Sequence, residues 1–281
     1  MNPILRTVPI LLPQGFFSLA YAQWGPERGA PVICAHGLTR NGRDFDSLAL
    51  ALARDGRRVV AVDFPGRGRS DWLSDASLYA YPTYVHALAT LIARLDVERV
   101  DWVGTSMGGL VGMFLAAQPR SPIARLVLND VGPFIPSAAL ERIAGYVGVE
   151  TRFATLPDVE AYLRRVAAPF GPLSDAQWRH LAIHGAVSEG SGWRLHYDPA
   201  IGTALRAGPL RDVDLWGIWT QVRCAVLSIR GAESDVLAPE TVQRMAGSGH
   251  APVSCIAFHG CGHAPALMAD DQIAAVLDFL K

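Results

Sequence analysis

Val100-Asp101-Trp102-Val103-Gly104-Thr105-Ser106-Met107-Gly108-Gly109-Leu110 is the stretch on which the reading of this chain turns. Val100 to Val103 is a short apolar run of strand character. Leu110 to Ala117 has the pattern of a helix that ends near Pro119. Between them stands Gly-x-Ser-x-Gly. A serine at such a junction sits on a bend so tight that side chains at the flanking positions would collide, which is why both flanks must be glycine. The helix start behind it offers unpaired N–H groups and the positive end of a dipole, both suited to a developing negative charge. A strand before and a helix after distinguish this motif from an ordinary glycine-rich turn.

Working outward, the same rhythm continues. Val32-Ile33-Cys34-Ala35 ends at His36-Gly37, Val59-Val60-Ala61-Val62 at Asp63, and Leu126-Val127-Leu128 at Asn129-Asp130. Asp46–Arg54 and Pro82–Leu95 between them carry apolar residues at helical spacing. Continuous apolar strands alternating with helices predict an α/β chain with a mostly parallel sheet covered on both faces. Ligands of such sheets bind at the carboxyl ends of the strands, where His36, Asp63, Ser106 and Asp130 fall. From Ser137 to Trp219 the pattern changes. Ala138–Val147, Asp158–Ala167 and Ser174–Val187 read as helices with no buried strand between them, which predicts a helical insertion over the strand ends. Strands resume at Ala225–Ile229 and Val253–Ala257, and a last helix is expected over Asp271–Leu280. Phe16–Trp24 is expected to be an antiparallel edge strand. Pro9 and Pro13 interrupt the apolar stretch before it, so a signal peptide is not expected.

Half of the 281 residues are hydrophobic, 18% are charged, and the formal net charge is -1. That composition suits a packed globular protein. It supplies no basic excess for nucleic acid and no basic amphipathic run for a membrane surface. Cys34, Cys224, Cys255 and Cys261 are few and lack CxxC spacing, which suggests reduced core thiols in a cytoplasmic protein.

A serine hydroxyl needs a base to become a nucleophile. His263, in Gly260-Cys261-Gly262-His263, follows the last strand and is the candidate. His36 competes but belongs to the segment that ends the first buried strand. An orienting carboxylate is also required. Asp235, in the polar turn after Ala225–Ile229, is preferred. Asp130 is the alternative, otherwise placed among the loops at the site entrance, and Glu233 is a third option. An oxyanion would be met by the main-chain N–H groups of Met107 and Leu38. Phe134, Phe170, Trp193, Trp216 and Trp219 could line an apolar pocket. Arg40 and Asn41 either meet a polar substrate group or pair with Asp130.

His36-Gly37, Asp63-Phe64-Pro65-Gly66-Arg67-Gly68-Arg69-Ser70, Gly104–Gly109, Asp235 and Gly262-His263 occur in an order and spacing that resemble the α/β-hydrolase superfamily over nearly the whole chain. The resemblance implies an eight-stranded sheet with strand two antiparallel. It implies core segments at 1–133 and 217–281 and a helical cap at 134–216. It carries over Ser106, Asp235 and His263 as the triad, with Leu38 and Met107 as the oxyanion hole and no metal or cofactor. His36, Arg40, Asp130, Phe134 and Trp216 are the expected substrate contacts. The partner is expected to be a small ester or lactone, with monomer or homodimer left open. Carbon–carbon bond hydrolases of ring-cleavage diketones and cofactor-free perhydrolases share the same elbow and remain alternatives. A ligand-binding receptor on this fold is the non-enzymatic one.

Overall fold

Two antiparallel strands open the chain, β1 (Ile4–Leu12) and β2 (Gly15–Trp24). The computed structural model describes residues 1–149 and 152–281. Six further strands complete the main sheet: β3 (Pro31–Ala35), β4 (Arg58–Val62), β5 (Val100–Thr105), β6 (Ile123–Asn129), β7 (Ala225–Gly231) and β8 (Val253–Phe258). Their spatial order is β1-β2-β4-β3-β5-β6-β7-β8. Only β2 runs antiparallel to its neighbours, and every other pairing from β4 to β8 is parallel. The eight-stranded α/β architecture expected from the sequence is the one observed.

The edge, however, is β1 and not the Phe16–Trp24 strand. Val8, Ile10 and Leu12 alternate inward while Pro9 and Leu11 face out. Pro9 is tolerated because it pairs with Ser18 at a position where Ser18 turns both its N–H and C=O toward Asp71 instead. A proline without a donor fits such an outer strand.

The strands are apolar throughout because both sheet faces are covered. Val32, Cys34, Val59 and Ala61 pack with α1 (Asp46–Arg54) and the C-terminal helix Asp270–Phe279. Ile33, Ala35, Val60 and Trp102 point the other way, onto α2 (Tyr81–Arg94) and α3 (Met107–Ala116). This two-residue alternation follows from the strand pleat. Cys34 is buried as expected and Cys261 is buried too, but Cys255 is exposed on the edge strand β8.

Between β6 and β7 lie α4 (Ser137–Ala144), α5 (Leu156–Val166) and α6 (Asp175–Gly185). Reciprocal capping boxes start α5 (Thr155 with Asp158) and α6 (Ser174 with Gln177). The segment is not purely helical. Arg152–Phe153, Ala186–Glu189 and Gly192–Leu195 form a small antiparallel sheet, and Phe134–Ile135 pairs with Val213–Asp214. Strands of two to four residues carry too little periodicity to be read from sequence. Val159, Leu163, Trp178 and Leu181 give the helices a separate small core. Among the described residues no helix is long and apolar enough to cross a membrane.

Candidate active site

Ser106 stands between β5 and α3 with φ 52 and ψ -117, a strained conformation for a residue with a side chain. The close packing explains both flanking glycines. A Cβ on Gly108 would lie 2.1 Å from the Ala35 carbonyl oxygen, and one on Gly104 would lie 2.4 Å from that of Gly108. The elbow is pinned by the Ser106 N–H, which donates to the Asn129 carbonyl at 2.9 Å.

The Ser106 hydroxyl meets His263 Nε2 at 2.8 Å. On the other side of the ring, His263 Nδ1 lies 2.7 Å from Asp130 Oδ2. A carboxylate only accepts, so Nδ1 carries the proton and Nε2 is left to accept from the serine. Asp130 is fully buried and takes two more hydrogen bonds, from the Gly231 N–H (2.7 Å) and the Ser234 hydroxyl (2.6 Å). Its own N–H donates to the Ile229 carbonyl of β7 at 2.8 Å.

Asp130 therefore replaces Asp235 as the partner of His263. Asp235 lies at the surface and binds Arg142 of α4 instead, with Nη2 to Oδ1 at 2.9 Å. Partial burial alone would raise this carboxyl, but the guanidinium overrides it and holds it low. The turn after β7 turns Ser234 inward and Asp235 outward, a choice that the polarity of the segment does not reveal.

The loop after β3 brings Leu38 to the same place. Leu38 and Met107 line a cavity of about 480 Å³ together with Ser106 and His263. Met107 opens α3, so its N–H has no acceptor within the helix. His36 lines the cavity too, yet it is buried and works on the backbone. Its Nδ1 lies 2.6 Å from the Gly37 carbonyl, and its Nε2 accepts the Phe64 N–H at 3.0 Å. Burial pushes its pKa down to about 3, against the effect of the Gly37 bond, so the ring is neutral. The Gly37 carbonyl belongs to the peptide that carries the Leu38 N–H, so His36 orients that donor.

The remaining expected contacts divide. Arg40 lines the cavity but is held by Asp44 through two bonds of 2.7 and 2.8 Å, not by Asp130. Phe170 lines the cavity. Phe134 and Trp216 do not: Phe134 sits in the short strand against Asp214, and Trp216 is buried with the Arg244 guanidinium 3.9 Å above its ring. Trp193 and Trp219 are also outside the cavity. Its walls include Leu110, Val236 and, from the segment between β6 and β7, Ile135, Leu140, Ile143 and Leu163, with Tyr79, Tyr84, Tyr146 and Tyr197 among them. Leu140 and Ile143 fall in the helix expected over Ala138–Val147, but nothing in the sequence said which of its sides faces the serine.

Sequence reasoning passed over Asn129. Its fully buried Nδ2 donates to Thr105 Oγ1 (3.0 Å) and to the Pro265 carbonyl (2.8 Å). One side chain thus ties the serine elbow to the histidine loop. The only available signal was its place at a strand end beside Asp130.

Asp46, His180 and His184 bring ligand-type atoms within 4.8 Å of one another where α6 meets the core. The Arg43 guanidinium already supplies the positive charge there, bound to Asp46 and 3.5 Å from His184 Nδ1. Burial and this cation push His184 down to about 4.

Comparison with known proteins adds the following. A family model described as alpha/beta hydrolase fold matches residues 30–185. A 3-hydroxybutyrate-oligomer hydrolase from Cupriavidus necator is 46% identical over 99% of this chain and 98% of its own length. The crystal structure of an alpha/beta hydrolase from Novosphingobium aromaticivorans superposes with a TM-score of 0.88 at 33% identity, covering 99% of this chain and 98% of that one. A bifunctional esterase/perhydrolase from Acinetobacter calcoaceticus is 36% identical over a shorter part, 40% of this chain and 41% of its own.

Proposed function

The chain belongs to the α/β-hydrolase family, and on that premise we propose that it hydrolyses carboxylic esters through a covalent acyl group on Ser106. The observation that carries this reading is the hydrogen-bonded series Ser106–His263–Asp130, 2.8 and 2.7 Å long, opening on a cavity of about 480 Å³.

In this mechanism Ser106 Oγ attacks the ester carbonyl and passes its proton to His263 Nε2. Asp130 holds the imidazole in the required tautomer and stabilises the imidazolium. The oxyanion is met by the N–H groups of Leu38 and Met107, each worth on the order of 3 kcal/mol of barrier reduction in such sites. His263 then gives its proton to the leaving alkoxide oxygen. Water, deprotonated by the same imidazole, releases the acid and restores Ser106.

The substrate class we propose is a short oligoester of a hydroxy acid, as in the name of the Cupriavidus necator relative. The cavity suits it: aliphatic walls would take the alkyl groups of the repeating unit, and the lining tyrosines other than Tyr79, whose hydroxyl is given to Asp198, would offer donors to its other ester carbonyls. Dimers and trimers of 3-hydroxybutyrate should be cleaved with kcat/KM well above that for p-nitrophenyl acetate. A lactone, a ring-cleavage diketone and a peracid-forming assay complete the panel. Preferential turnover of the diketone, or of hydrogen peroxide with acetate, would transfer the site to one of the alternatives. Failure of Ser106 to react with a fluorophosphonate would leave a receptor.

A further inference from the structure

Arg67 is fully buried, and its guanidinium has no carboxylate partner among the described residues. Every acceptor it finds is neutral. Nε donates to the Leu38 carbonyl at 2.8 Å. Nη1 donates to the Pro65 carbonyl at 2.7 Å and to the Tyr84 hydroxyl at 2.8 Å, and Nη2 points to Met107 Sδ at 3.8 Å. The rings of Tyr84 and Tyr79 lie 5.0 and 5.6 Å from the guanidinium carbon. Tyr79 in turn donates to Asp198 at 2.6 Å, so that carboxylate is engaged by the phenol and not by the guanidinium.

An arginine in this state is costly to keep. Removing a cation from water without an opposing charge is unfavourable even when all its donors are used. The neighbouring titratable groups do not neutralise it. Burial holds Tyr79 and Tyr84 above the usual phenol range, and it keeps His36 uncharged. The two residues that Arg67 joins line the cavity beside Ser106 and are the ones whose N–H groups the proposed mechanism assigns to the oxyanion.

We propose that Arg67 is a positioning residue of the oxyanion hole, whose fork joins the Leu38 and Met107 sides and whose uncompensated charge is met only when the substrate oxygen becomes negative. This rests on the ester-hydrolase reading of Ser106. The fork geometry is what lysine lacks, since an ammonium can match only part of such a planar set of acceptors. The negative charge appears in the tetrahedral transition state and not in the neutral ester, so the effect of Arg67 belongs to kcat rather than to KM.

The test compares Arg67→Met, Arg67→Gln and Arg67→Lys with the wild type on one ester. Melting curves confirm folding, and a fluorophosphonate confirms a reactive Ser106. The expected result is a fall in kcat of about 10- to 100-fold for Met and Gln with KM changed less than about threefold, and partial recovery with Lys. Affinity for a trifluoromethyl ketone, which forms an anionic adduct on the serine, should fall in parallel with kcat. Folded Met and Gln variants with kcat within about threefold of wild type would overturn the proposal, as would a loss confined to KM. So would failure of all three variants to fold while Ser106→Ala folds, which would assign Arg67 to the core alone. A wild type that neither labels at Ser106 nor cleaves any ester would instead remove the underlying reading of the site.

Discussion

Asp130 and His263 stand 133 positions apart in the chain and meet at 2.7 Å, Oδ2 to Nδ1. The carboxylate comes from the end of β6, while the end of β7 beside it supplies the Gly231 N–H and the turn that follows supplies the Ser234 hydroxyl that hold it. Two strands therefore cooperate in placing one acid. Asp235, one residue past Ser234, is directed to the surface and to Arg142.

That placement separates two aspartates by mutation. Asp130→Asn should leave KM nearly unchanged and lower kcat about 10³- to 10⁴-fold, because the ring would be left in the wrong tautomer. Asp235→Asn breaks an exposed ion pair worth about 0–1 kcal/mol, so activity should stay within about fivefold of wild type. Steady-state kinetics on a single ester decides between them, and the opposite ranking would restore Asp235 as the orienting acid.

Ser106→Ala removes the nucleophile without disturbing the helix behind it. Ester turnover should drop to near the rate left by the oxyanion donors alone, roughly 10³- to 10⁴-fold above water. Fluorophosphonate labelling should disappear. A labelled Ser106→Ala protein would point to a different reactive group.

Asn129 can be tested for its strap. In Asn129→Ala the Pro265 carbonyl and the Thr105 hydroxyl lose a buried donor. The cost should be about 1–3 kcal/mol in denaturant unfolding, with a fall in kcat as the serine elbow and the histidine loop lose their common tie. Stability loss with unchanged kcat would make Asn129 a core residue only.

His36 makes acid stability a readout of the oxyanion loop. Its pKa in the fold is pushed from 6.5 down to about 3. Between those values the unfolded chain holds a proton that the native state lacks. The contribution of His36 is therefore complete above the unfolded pKa and is lost as pH falls through the folded one. The slope reaches about 1.4 kcal/mol per pH unit. Urea unfolding between pH 7 and 4 should be less steeply pH-dependent in His36→Asn than in wild type. Equal slopes would show that the native ring takes up a proton as freely as the unfolded one.

Much of the fold was open to sequence reading because its signals are local. The buried runs at Val32–Ala35, Val59–Val62 and Val100–Val103 need neighbours on both faces whatever those neighbours are, and so they announce a covered parallel sheet. β1 was hidden by Pro9, whose missing donor matters only inside a sheet and not at an outer strand. The small sheet built on Arg152–Phe153, Ala186–Glu189 and Gly192–Leu195 was hidden by its brevity. In the site, Ser106 and His263 were legible and the cavity walls were not. Phe134 and Trp216 are as apolar as Ile135 and Leu140, and only packing decided which pair faces the serine.

By itself the sequence determined the bend at Ser106, the helix start behind it and the sheet that presents both, since each depends on contacts among residues close in the chain. The identity of the acid belonged to tertiary structure. Both β6 and β7 end in a turn with a carboxylate, and their composition does not distinguish them. The choice was made where the two strand ends pack side by side, with buried N–H and hydroxyl donors available to Asp130 and an arginine on the surface available to Asp235.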